Sequence, residues 1–213
     1  MIWESRPWRE ELCRVADRLN EWRRVVDWDD ELVAFEIERD VMVSAYAIRK
    51  LLEARKLSDS AAESKFRVEA FPLIDRIPDH MNWHRLDEFY NFERSSSEDL
   101  TLEQLCNQLI HSFIFVRIGD ADGDDETGYE GGLAGFFVAS DRARSSRLYR
   151  ISIDSLVSLL QSVGTEEVVA TKMIRDASGQ WQVSNMTAAD MNLVEPGSRD
   201  HARQNGPRPA EGR

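Results

Sequence analysis

An α+β fold is expected from this chain: an amino-terminal helical bundle packed with a small antiparallel sheet and a short helix in the second half. Two long stretches of helical periodicity open the sequence, strand-like segments follow His111, and 42% of the 213 residues are hydrophobic, enough for one sizeable core. Residues 1–116 are read as the bundle, 117–185 as the β-rich half packed on it, and 186–213 as a disordered tail.

Ser5 and Pro7 open the first helix, since Pro fits a first turn and Ser can cap it. Trp8, Leu12, Val15, Leu19, Trp22 and Val26 then follow in steps of four and three, a stripe that reads as a core-facing helix. A second helix starts near Asp29 and Asp30, whose carboxylates suit a positive helix terminus. Ile37, Val41, Ala45, Ile48 and Leu52 mark its inner face, and its extra apolar positions predict burial by more than one neighbour. From Lys65 to Asn91, Pro72 and Pro78 interrupt regular structure, leaving room for a short strand and a short helix. ERSSSEDL reads as a polar connector. Thr101 and Gln104 form a capping-box signature for a helix over 101–113.

Beyond His111, the segments FIFVRI, LAGFFVAS and RLYRISI read as strands. Asp154 is placed to cap a short helix, SLVSLLQSV, ended by Gly164. VVATKMIR and QWQV, joined by DASG, form a hairpin.

A net charge of −12 argues against broad, sequence-independent DNA binding, which needs Lys and Arg tracking phosphates. Two distant cysteines, Cys13 and Cys106, read as reduced, packed thiols, not as a disulfide framework. With no apolar leader and no stretch long enough to cross a membrane, a cytoplasmic protein is expected.

The thirteen residues Gln104–Val116 carry no formal charge in a chain that is 31% charged. Gln104, Asn107, Gln108 and His111 fall on one helical flank, which marks either a buried hydrogen-bonded network or a small reaction site. Asn107 and His111 stand four apart, so an amide could orient a phosphate or water beside an imidazole able to move a proton.

The run Cys106-Asn107-Gln108-Leu109-Ile110-His111 resembles the motif of the HEPN superfamily of small helical-bundle proteins. The Asn and His positions match, while Cys106 stands where the family's Arg is expected; the resemblance covers at most residues 1–116. Active members are metal-independent endoribonucleases that work as dimers. The resemblance therefore implies His111 assisting attack of a ribose 2′-hydroxyl and Asn107 positioning the phosphate. A thiol cannot supply the positive charge that a phosphorane dianion needs. Arg117, Arg94, Arg49 or Lys50 are the candidates to supply it from another element. The family also includes non-catalytic binding members, which fit the altered motif better.

Three further clusters carry possible chemistry. Asp120, Asp122 and Asp124 alternate as in a calcium loop, but Asp125 and Gly131 occupy positions where that loop needs Gly and Glu. His80 and His84 have zinc-ligand spacing only if they lie on a helix. Arg142, Arg144, Arg147 and Arg150 form a basic cluster that could meet RNA phosphates or an acidic partner, or be balanced by the acidic loop.

The expectation is a non-catalytic HEPN-like interaction or binding module, forming a homodimer and engaging RNA or protein, with no cofactor and no metal assigned. Its binding residues would be Gln104, Gln108, Arg117, Arg142, Arg144 and Arg147. The alternatives are a metal-independent endoribonuclease using His111 and Asn107, and a cation-responsive module working through the acidic loop 120–130.

Overall fold

The computed structural model describes residues 3–24, 30–120 and 131–193. Its chain is α+β. Helix α1 (Arg6–Trp22) buries Leu12, Val15, Leu19 and Trp22, while Trp8 at the head of the stripe stays 37% exposed. Each such buried side chain contributes roughly 1.5–3 kcal/mol. Ser5 precedes the helix but makes no side-chain cap; Pro7 in the first turn is what favours the start there. Helix α2 (Glu31–Glu53) is capped by Asp30, whose Oδ1 accepts from the N–H groups of Leu32 and Val33 at 2.9 and 3.3 Å. Val26 and Asp29 lie outside the described residues.

α2 buries Ile37, Val41, Ala45 and Ile48 as expected. Its additional apolar residues do something else: Leu32, Phe35, Val43 and Tyr46 are exposed, so the helix has one covered face and one open one. After α2, Ser58 caps the short α3 (Asp59–Glu63), accepting from Ala61 N–H.

The sheet has five strands in the order β2-β1-β5-β4-β3, all neighbours antiparallel. They are β1 (Lys65–Pro72), β2 (Ser96–Thr101), β3 (Ser112–Gly119), β4 (Leu133–Ser140) and β5 (Arg147–Ser152). The boundary expected at residue 116 thus falls inside β3, and the expected helical half supplies both β1 and β2. The segment read as a polar connector is largely β2, pairing along β1 from Lys65↔Thr101 to Ala70↔Ser96.

Register decides which residues face the helices. Ala70 pairs with Tyr149, Tyr149 with Val138 and Ile151 with Phe136, so these buried residues share one face with Val68 and Phe66. Helix α5 (Leu102–Ile110) and helix α6 (Ile153–Thr165) pack on the sheet; α2 covers α5 and α1 covers α6. Ser152, not Asp154, caps α6, accepting from Ser155 N–H at 3.2 Å. Gly164 lies within α6, where its value is steric. A Cβ there would collide with Cys13 Sγ and sit 2.9 Å from Arg9 O on α1.

The opposite face carries Phe71, Leu148 and Phe137. The segment after β1 folds over it: helix α4 (Leu86–Phe89) leads to Tyr90, which bridges Leu73, and the Phe92 ring lies 4.7 Å from Phe71 and 5.4 Å from Phe137. A hairpin, β6 (Ala170–Arg175) with β7 (Trp181–Met186), leads to α7 (Ala188–Leu193). The tail expected to lose order from 186 is therefore structured to 193, and 194–213 lie outside the described residues. Among the described residues no helix is long and apolar enough to cross a membrane.

Candidate functional site

Helix α5 is fixed first by its amino end. Thr101 Oγ1 accepts from Gln104 N–H at 3.1 Å while Gln104 Oε1 accepts from Thr101 N–H at 2.8 Å, so the capping box read from the sequence is present. Gln104 is thereby committed to holding the helix. Leu102, Leu105, Cys106 and Leu109 are buried, which aims the flank of Asn107 and Gln108 partly outward.

Asn107 is half-buried and its Oδ1 accepts from Arg49 Nη1 at 3.2 Å. Arg49, on α2, also meets Glu53 and Glu103, each at 2.8 Å. Its pKa is raised, first by the hydrogen bond to Glu53 and further by Glu103. Lys50 and then Arg49 in turn hold the Glu53 carboxyl down at about 2. A cation therefore does stand beside the amide, but two carboxylates already share it. Cys106 lies beneath, and burial pushes its thiol up to about 12, so it is a packed neutral group.

The helix ends one turn short of the expected 113. Ile110 is its last residue and His111 is the C-cap (φ −108°, ψ 27°), with its N–H donating to Asn107 O at 3.2 Å. The imidazole is exposed, and among the described residues no side-chain hydrogen bond joins it to Asn107. What the two share is the backbone hydrogen bond that closes the helix. Gln108 Oε1 accepts from Ser140 N–H at 3.1 Å and ties α5 to the end of β4.

The basic candidates separate. Arg117 lies half-buried on β3, opposite Phe136. Arg144 stacks over Phe113 at 4.0 Å, donates to Asp141 at 2.9 Å and to the carbonyl of Pro78, and its own carbonyl accepts from Tyr90 OH at 3.0 Å. Arg147 pairs with Glu98 on β2 and Arg150 with Glu69 on β1 at 3.5 Å. Arg142 alone of the four is exposed without such a carboxylate among the described residues. Among the described residues, carboxylates on the turn and on the adjoining strands pair with Arg144, Arg147 and Arg150. His80 and His84 lie on turns instead of a helix; the His80 ring packs 4.8 Å from Phe113. Residues 121–130 of the acidic loop lie outside the described residues, and no group of three potential metal ligands occurs among the described ones.

The sequence reading missed a different place. Between α1 and α2 lies a cavity of about 380 Å³ with apolar walls from Trp8, Leu12, Val15 and Val43. Its polar side is an ion pair with a buried carboxylate: Arg18 Nε donates to Asp40 Oδ2 at 2.6 Å, and the Asp40 side chain is only 5% exposed while Arg18 is half-buried. Arg39 donates to Asp40 Oδ1 at 2.9 and 3.1 Å, and Arg18 also reaches Glu11 at 3.2 Å. The Arg18 pKa is raised, chiefly by Asp40. Ser44 lines the same cavity, and its buried hydroxyl has no hydrogen-bond partner. The available signal was Asp40, a charge within the inner-face sequence of a helix. A second groove of about 400 Å³, over β1, β2 and β5, is lined by Arg67, Glu69, Arg150 and serines; Arg67 pairs with Asp99 at 2.8 Å and Arg150 with Glu69, so its charges are satisfied locally.

Comparison with protein-family models, with curated proteins and with solved structures finds no match to this chain.

Proposed function

We propose that the protein is a non-catalytic interaction module, HEPN-like in its α5 motif, that engages its partner through the open face of α1 and α2. The observation carrying this reading is the division of labour between the two helical regions. On α5, Gln104 serves the cap, Gln108 holds β4, Asn107 is bonded by Arg49 and Cys106 is a neutral packed thiol. On α1 and α2, large apolar side chains remain exposed beside a cavity with an unpartnered hydroxyl. Such patches on a folded chain mark binding surfaces.

A second reading, a metal-independent endoribonuclease, draws support from one observation: the Arg49 guanidinium lies against Asn107 on the helix that ends at exposed His111. Its weakness is that Glu53 and Glu103 already satisfy that charge. The deciding experiment incubates structured and single-stranded RNA with the protein in EDTA, beside His111→Ala. The interaction module leaves both RNAs intact. Cleavage in chelator that the substitution abolishes, with an unchanged melting curve, overturns this reading in favour of the nuclease.

A further inference from the structure

The geometry points to a second copy of this chain as the partner of the open α2 face, the two α2 helices lying antiparallel across a two-fold axis. This rests on the interaction-module reading and names its occupant. Leu32, Phe35, Val43 and Tyr46 are 66, 59, 47 and 48% exposed, and with Arg39 and Lys50 they fill one stripe in steps of three and four. The stripe runs along a helix of 23 residues, roughly 34 Å long. The two cations cover their own neighbours, Arg39 at 5.8 Å from the Phe35 ring centre and Lys50 at 5.6 Å from that of Tyr46. The stripe therefore presents apolar and aromatic surface with charge at its margins.

Two properties select a second copy over a foreign helix. The first is register. A two-fold contact requires each residue to meet a residue of the same patch. Reversing α2 about a point between Asp40 and Val41 sets Phe35 opposite Tyr46 and Arg39 opposite Met42. Aromatic meets aromatic at both ends of the contact, and Val43 lies near the axis. The second is charge. Asp30, Glu31, Glu36 and Glu38 make the amino half acidic, whereas Arg49, Lys50, Arg55 and Lys56 outnumber Glu53 at the other end. Antiparallel pairing lays each acidic half on the basic half of its mate; parallel pairing sets like against like. This matters in a chain of net charge −12, whose copies otherwise repel.

The test is sedimentation of the full chain at micromolar concentration. The wild type is expected to be a dimer that weakens as salt rises. Phe35→Glu and Tyr46→Glu should each loosen it by roughly 30-fold or more, while Ile174→Glu on the exposed hairpin leaves the mass unchanged. A charge-reversed chain, Glu31→Lys with Glu36→Lys, should self-associate poorly but recover dimer mass when mixed with Lys50→Glu. Unchanged circular-dichroism spectra at low temperature establish that each variant is folded, while its melting midpoint falls with the lost association. A monomeric wild type, or a dimer indifferent to both aromatic substitutions, overturns the pairing. Either result leaves the RNA experiment untouched, so this inference and the reading beneath it fail separately.

Discussion

Arg49 Nη1 donates to Asn107 Oδ1 at 3.2 Å across 58 residues of sequence, and this contact ties α2 to α5. Removing the guanidinium leaves the amide and two carboxylates, Glu53 and Glu103, without their shared donor. Arg49→Ala should therefore lower unfolding free energy by about 1–2 kcal/mol and Asn107→Ala by about 0.5–1.5 kcal/mol. The double variant should lose less than the sum, because both changes delete one interaction. Urea denaturation of the four proteins measures the coupling; strict additivity refutes the link.

Thiol chemistry gives an independent check. Burial holds the Cys106 thiol up at about 12, so almost no thiolate exists at neutral pH. In the folded protein iodoacetamide should leave Cys106 unmodified, and denaturant should expose it fully; mass spectrometry of peptides reads the outcome. Rapid native labelling at Cys106 means that α5 opens far more easily than its packing implies.

Stability against pH should form a plateau with two edges. Lys50 and Arg49 hold Glu53 at about 2 against an ordinary 4.5, so the folded state gains stability above 4.5 and loses it as pH falls towards 2. Glu11 and Asp99 act in the same direction. For Glu11, burial that opposes ionisation is outweighed by hydrogen bonds from Arg14 and Arg18; for Asp99 the bond from Arg67 leads. On the alkaline side, burial lifts Tyr90 from 10.0 to about 12, so its contribution is complete below 10 and disappears between 10 and 12. Melting temperature followed across pH tests both edges, and Glu53→Gln should flatten the acid one.

The elements that announced themselves were those with local signals. The Thr101–Gln104 box, the alternation of β4 and the DASG turn each act over a few residues, and each is present. β2 escaped notice because it is an edge strand with one buried side chain, Leu100; its place comes from the β1 ladder, not from its composition. Nothing in IHSF marks a helix stop, so the sequence carries the helix past His111. The helix yields there to the pairing of β3 with β4, a contact about 25 residues away in sequence. Apolar residues on α2 likewise do not declare which face a neighbour will cover. Leu32 and Phe35 look as buried in the sequence as Ile37, and only assembly separates them.

The β1–β5 pairing has a price in time. β1 ends at Pro72, and its second neighbour does not begin until Arg147. At ordinary synthesis rates of ~5–20 residues per second, the nascent chain waits roughly 4 to 15 s for that strand. Meanwhile Ala70 and Phe71 lack Tyr149 and Leu148, the neighbours that β5 brings to that edge. A chain stalled or cut near residue 116 would expose this unsealed flank to other nascent chains, making prompt completion of translation a safeguard against misassembly.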